Sequence, residues 1–155
     1  MKRISIGSWA YSIGPYAKNP IDWDTVCRTL SSYGFDGVEL GGFPHHPNPD
    51  DLPSAEQRQE IVEKMQKQGL EFSGLAANLW MHKLVSVADS GPCIAEFAKN
   101  LFFAEDLGID CIRVDTLEPP DILEKTKTDP KVARERAVKA WDRCAKLAAN
   151  RGVRV

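Results

Sequence analysis

Two charged side chains of opposite sign sit inside short apolar runs, Glu39 in "GVELGG" and Arg113 in "CIRVDT". In an extended strand, successive side chains point to opposite faces. Glu39 then opposes Val38 and Leu40. Arg113 shares a face with Cys111 and Asp115 and opposes Ile112 and Val114. The pattern predicts an ion pair between Glu39 and Arg113 if both faces point inward. The alternative puts Glu39 on an edge strand, in water. Trp9, Asn78, Trp80 and Asp115, with Ser8 and Thr116, fall at or just after the ends of apolar runs. Indoles offer flat faces, and amides and carboxylates offer hydrogen bonds. The same residues would otherwise serve loop packing, capping and turns. His45 and His46 are adjacent in "GGFPHHPNPDDLP". In an extended loop neighbouring side chains point apart, which is poor geometry for one metal, so this loop is expected to be a solvated surface. His82 stands alone after "AANLWM"; it could reach a pocket, but a lone histidine is usually structural. No residue is assigned a catalytic or metal-binding role.

These residues need elements to hold them. Four helix-stop glycines, Gly34, Gly69, Gly108 and Gly152, are each followed by an apolar run. A glycine past a helix end adopts the left-handed cap conformation at little steric cost. The spacing of about 40 residues suits one strand, one helix and two loops, repeated. The first helix is expected from about Pro20 to Tyr33, with Trp23, Val26, Cys27 and Leu30 on one stripe. The second follows Ser54, with Gln57 completing a capping box, and buries Ile61, Val62 and Met65. The third starts near Pro92, with Ile94, Phe97, Ala98, Leu101 and Ala104 inward. The fourth starts at Asp129-Pro130, with Ala133, Ala137, Ala140, Trp141, Cys144, Leu147 and Ala148 inward. Strands are expected at Arg3–Gly7, Gly37–Leu40, Glu71–Leu75, Cys111–Asp115 and Val153–Val155, the last truncated.

Strict alternation of strand and helix implies a parallel sheet with right-handed crossovers. A doubly wound sheet covers both faces and tends to apolar strands. Here Ile4 and Ile6 oppose Arg3, Ser5 and Gly7, and Val153 and Val155 oppose Arg154. One apolar and one polar face fit a barrel with a polar interior. The fold class is therefore α/β, the N-terminal half of a (β/α)8 TIM barrel: strands one to four and the start of strand five, residues 1–155 forming one partial domain. Strands two and four are alternate strands, which share interior layers in such barrels.

The 155 residues are 43% hydrophobic and carry a net charge of -2. That is ordinary for a soluble globular domain and argues against a basic nucleic-acid surface. No apolar run reaches the ~18 residues of a membrane span. The opening "ISIGSWAYSIGPY" is read as mature protein. Four distant cysteines with no CxxC imply reduced thiols and a cytoplasmic location.

"GFDGVELGG", "LGIDCIRVDT" and "AANRGVRV", after an opening "ISIGSWAYS", resemble the sugar phosphate isomerase/epimerase superfamily, the xylose isomerase-like TIM barrels. The resemblance spans nearly the whole chain. It implies a metal-dependent isomerase or epimerase that moves a proton next to a sugar carbonyl through an enediolate. It implies a divalent metal (Mn, Mg, Co or Zn) for the full-length protein, held by Glu, Asp, His and Glu on strands five to eight, and none from this half. It implies a small-molecule sugar as partner. Strand ends at the C-terminal face carry barrel sites, so Trp9, Glu39, Asn78, Trp80, Arg113 and Asp115 become the candidate substrate-binding residues. Trp9 and Trp80 would stack on a sugar ring; Asn78 and Asp115 would bond its hydroxyls. The superfamily's three-zinc DNA-repair branch fits poorly, since Ala77-Asn78 and Asp115 stand where histidines are expected. Two other readings compete. One is a flavodoxin-like or receiver module, but the first strand ends without an acidic residue and a long proline-bearing loop precedes helix one. The other is a non-catalytic half-barrel whose open edges assemble with a partner, a homo-oligomer among them.

Overall fold

The structure, a computed structural model, describes residues 2–115 and 118–155. Thr116 lies outside them. Strands β1 (Ser5–Gly7), β2 (Gly37–Gly41), β3 (Glu71–Ala76) and β4 (Ile112–Arg113) form one parallel sheet in the order β1-β2-β3-β4. Helices α1 (Trp23–Ser32), α2 (Ala55–Lys67) and α3 (Gly91–Asp106) link them, and α4 (Pro120–Lys125) and α5 (Pro130–Ala149) follow β4. Strands laid down in chain order, with no reversal, make the arc of a barrel; a doubly wound sheet reverses at a switch point. The arc extends past β4. Ile112 N–H donates to Arg154 O at 2.8 Å, and Arg154 N–H donates to Asp110 O at 2.8 Å. The segment 153–155 thus begins a fifth position beside β4.

One junction recurs four times. Gly34, Gly69, Gly108 and Gly152 hold φ of 75, 71, 69 and 69°, where a Cβ is costly. The next residue's N–H turns back onto the helix it leaves. Phe35 donates to Leu30 at 3.1 Å, Leu70 to Met65 at 3.0 Å, Ile109 to Ala104 at 2.9 Å and Val153 to Ala148 at 3.0 Å. This is the Schellman arrangement. The apolar residue that follows enters the core: Leu70, Ile109 and Val153 are buried. The helix starts are equally explicit. Ser54 and Gln57 form the reciprocal capping box, and Asp129 accepts from Lys131 N–H at 2.7 Å.

Several boundaries differ from expectation. Helix α1 begins at Trp23 rather than near Pro20, because Asp22 accepts from Thr25 N–H at 2.9 Å and caps it. β1 starts at Ser5. Ile4, expected on the covered face, is 56% exposed, since its strand is the outermost of the sheet. β4 spans two residues rather than five. Leu147, expected inward on α5, is 39% exposed; Ala133, Ala140, Cys144 and Ala148 make the buried stripe instead. The short helix α4 and two 3-10 turns, Ser8–Tyr11 and Gly14–Tyr16, were not anticipated from periodicity.

The core lies between the sheet and the helices. Leu40, Leu75, Phe97, Leu101, Phe103 and Ile112 are fully enclosed there, each such side chain contributing about 1.5–3 kcal/mol. A second cluster, Val26, Cys27, Leu30, Val38, Met65 and Leu70, seats α1 and α2. Burial of the Cys27 thiol, reinforced by Asp24, pushes its pKa up to about 12, so it remains a core thiol.

Candidate functional site

β2 and β3 slip by one residue between Val38 and Glu39. The bulge leaves Ser73 unmatched and sets Gly74 opposite Glu39. Gly74 and Ala76 then present only small groups where Glu39 crosses β3 toward β4. Arg113 meets it there, Nε donating to Glu39 Oε1 at 3.0 Å and one terminal nitrogen to Oε2 at 3.4 Å. The predicted ion pair is present, and β2 is an inner strand, not an edge.

The pair extends into a chain of five side chains. Trp9 Nε1 donates to Glu39 Oε2 at 2.9 Å. The other terminal nitrogen of Arg113 donates to Asp115 Oδ1 at 2.5 Å, and Trp80 Nε1 donates to Asp115 Oδ2 at 3.1 Å. Arg113 also lies over the Trp9 ring, 5.7 Å from its centroid. Hydrogen bonding to Glu39 raises the pKa of Arg113; partial burial opposes this, and the charges of Glu39 and Asp115 add to the rise. The guanidinium is a fixed charge that orders both carboxylates. All three charged groups remain partly open to solvent.

Backbone without side chains brings the rings into place. A Cβ on Gly7 would lie 2.1 Å from Trp9 Nε1, so only glycine lets the indole lie across the end of β1. Likewise a Cβ on Gly41 would lie 2.9 Å from the Phe43 ring. Phe43 packs tilted on Trp80 at 5.6 Å. Together Trp9, Ile13, Phe43, Trp80, Arg113 and Asp115 line a cleft of 180 Å³ over Ala76 and Ala77. Beneath it, Ser8 is fully buried, and its hydroxyl accepts from Gly41 N–H at 2.9 Å, tying the end of β1 to β2.

Five of the six candidate residues therefore converge. Asn78 is half-buried after β3, and its side chain makes no hydrogen bond to this chain of residues among those described. Phe43 was missed: it follows two glycines in a loop with no periodicity, and "GGF" after a strand was its only signal. The expected solvated histidines need correcting. His46 is buried, its Nε2–H donating to Ile21 O at 2.9 Å. Desolvation lowers its pKa, against the hydrogen bond to Ile21, which raises it. His45 takes φ 75° and is exposed to solvent. Asn48 organises this loop from inside, accepting from Asp50 and Asp51 N–H at 3.1 Å each.

Among the described residues, no group of three or more His, Cys, Asp or Glu side chains is placed to hold a metal ion. No described helix is long and apolar enough to cross a membrane.

The sequence profile of a family described as xylose isomerase-like TIM barrel matches residues 27–155. No curated protein sequence matches. Solved structures are similar across nearly the whole chain. The probable 3-DHS dehydratase AsbF of Bacillus anthracis is 15% identical with a TM-score of 0.69, covering 98% of this chain and 50% of its own. IolI with a zinc atom is 14% identical with a TM-score of 0.72, covering 98% and 49%. The D-psicose 3-epimerase of Clostridium cellulolyticum H10 is 20% identical with a TM-score of 0.64, covering 99% and 50%. At such identities the likeness is one of fold. The chain spans about half the length of these structures.

Proposed function

The chain belongs to the xylose isomerase-like TIM barrel family, and from that premise we propose that it forms one wall of the substrate site of a sugar or sugar-phosphate isomerase or epimerase. The observation that carries this reading is the run Trp9–Glu39–Arg113–Asp115–Trp80 at the C-terminal ends of the strands, the end where barrels build their sites. Two indoles flank the carboxyl groups of Glu39 and Asp115. Indoles stack on the C–H faces of a polyol, and carboxylates accept its hydroxyl protons. Arg113 holds both carboxylates in position before a ligand arrives, so little ordering is left to pay on binding.

The full-length protein then moves a proton beside the sugar carbonyl through an enediolate. The side chains described here bind and orient; none is assigned as the base. The divalent metal that the resemblance implies finds no cluster among the described residues, so no step is derived through it. The zinc atom of the similar IolI structure supports a metal held elsewhere in a full-length protein.

The test uses the full-length protein and a panel of ketoses and ketose phosphates in D2O. Deuterium entering the carbon beside the carbonyl is followed by NMR. Trp9→Ala and Asp115→Ala are each expected to cut turnover at least ~tenfold, the loss of roughly one charge-assisted hydrogen bond. No exchange with any sugar, or unchanged turnover in both variants, would remove this reading.

A further inference from the structure

Beside the polar cleft lies a second, larger cavity of 440 Å³, sharing Trp80 and Asp115 with it. Leu79, Leu84, Ile122 and Trp141 form its walls. The polar groups around it are mostly engaged elsewhere. The Glu118 carboxylate accepts from the N–H groups of Leu84, Val85 and Ser86 at 2.9, 2.7 and 3.2 Å, and from the Ser86 hydroxyl. His82 Nε2 faces Glu96 at 3.7 Å. Trp80 Nε1 is spent on Asp115. Lys83 is exposed at the rim. Most of the described lining that remains is hydrocarbon and ring. Trp80 and Met81, at its mouth, are 60% and 86% exposed, an unusual cost for large apolar side chains unless something covers them. The volume falls in the range of small-molecule pockets, about 300–1,000 Å³.

We propose that this cavity is an apolar subsite. A substrate that sets its hydroxyls in the polar cleft places a ring or short hydrocarbon arm here, against Leu79, Ile122 and Trp141. The proposal rests on the sugar-site reading above, because the two cavities share Trp80 and Asp115. It narrows the substrate class from a bare sugar to a polyol joined to an apolar group.

The experiment titrates p-cresol into the full-length protein and reads ligand saturation by NMR. Ile122 is partly open to solvent, so Ile122→Asp and the milder Ile122→Ser leave the core intact. The expected result is saturable p-cresol binding, weakened at least tenfold by Ile122→Asp and less by Ile122→Ser. Absence of binding to the native protein would overturn the proposal and mean that another part of the full-length chain fills the cavity. Equal binding in native protein and both variants would overturn it too, placing p-cresol elsewhere. Ketose exchange in D2O is read on the same samples. Exchange without p-cresol binding removes the subsite and keeps the sugar site; p-cresol binding without exchange removes the sugar site and, with it, the assignment of this cavity to a polyol's apolar arm.

Discussion

Arg113 donates through different nitrogens to Glu39 and to Asp115, a fork that an ammonium cannot reproduce. Arg113→Lys keeps the charge and loses the planar geometry. Arg113→Met also leaves two carboxylates facing each other without a counter-charge. In the full-length protein, kcat/KM on any accepted ketose is expected to fall about tenfold for the first variant and further for the second, with loss of one or two charge-assisted hydrogen bonds in the site. The partly exposed pair contributes little to the fold, so the unfolding free energy read from urea denaturation is expected to change by no more than about 1 kcal/mol in either variant. Equal and large losses of stability and activity would make Arg113 a structural residue. At this scale the ion pair was legible because strands alternate with period two, which isolates a charge on an otherwise apolar run. Phe43 and Glu118 were not legible, because loops have no period. His46 was misjudged because its loop folds inward around Asn48, and "HH" in sequence carries no sign of which ring will be enclosed.

At the scale of elements, the helix–glycine–apolar junction was the clearest signal in the chain, since it needs one residue type at one backbone conformation. Strand ends were less clear. β4 stops after Arg113 although the alternation runs on to Asp115, because pairing partners, not side-chain pattern, decide where a ladder ends. The loops between elements rest on single contacts that no pattern announces. Glu118 is the chief one: it pins the backbone of residues 84–86 to the segment before α4. Its burial pushes the carboxyl pKa up, but the hydrogen bonds from Ser86, Leu84 and Val85 outweigh this and hold it below the ordinary 4.5. A group with a folded pKa below its unfolded one releases its proton on folding. Its contribution is complete above pH 4.5 and is lost as pH falls through the folded value. Glu118→Gln is therefore expected to lower stability at neutral pH, and the gap to the native protein should close under acid. Urea denaturation across pH 3 to 7 measures it; a gap constant with pH would show that the carboxylate's charge is irrelevant to the pin.

The whole molecule is an arc with two open sides. Among the described residues, β1 pairs only with β2, and the segment 153–155 has β4 on one side and no strand on the other. Unpaired strand edges are templates for another strand, and chains of similar fold are about twice as long. In a full-length barrel, the remaining strands would join these two sides. The outward amides of Ser5–Gly7 and the amide of Val155 are then expected to be protected from hydrogen exchange in the full-length protein. In a polypeptide of residues 1–155 they should exchange close to the free rate, while the amides of Leu40 and Leu75, in the enclosed core, stay protected. Exchange mass spectrometry on both proteins decides this, with sedimentation alongside. Free exchange at both edges of the full-length protein would contradict closure. Protection in the shorter polypeptide together with a doubled sedimenting mass would mean that two arcs pair with each other, and that the polar cleft is completed by a second copy.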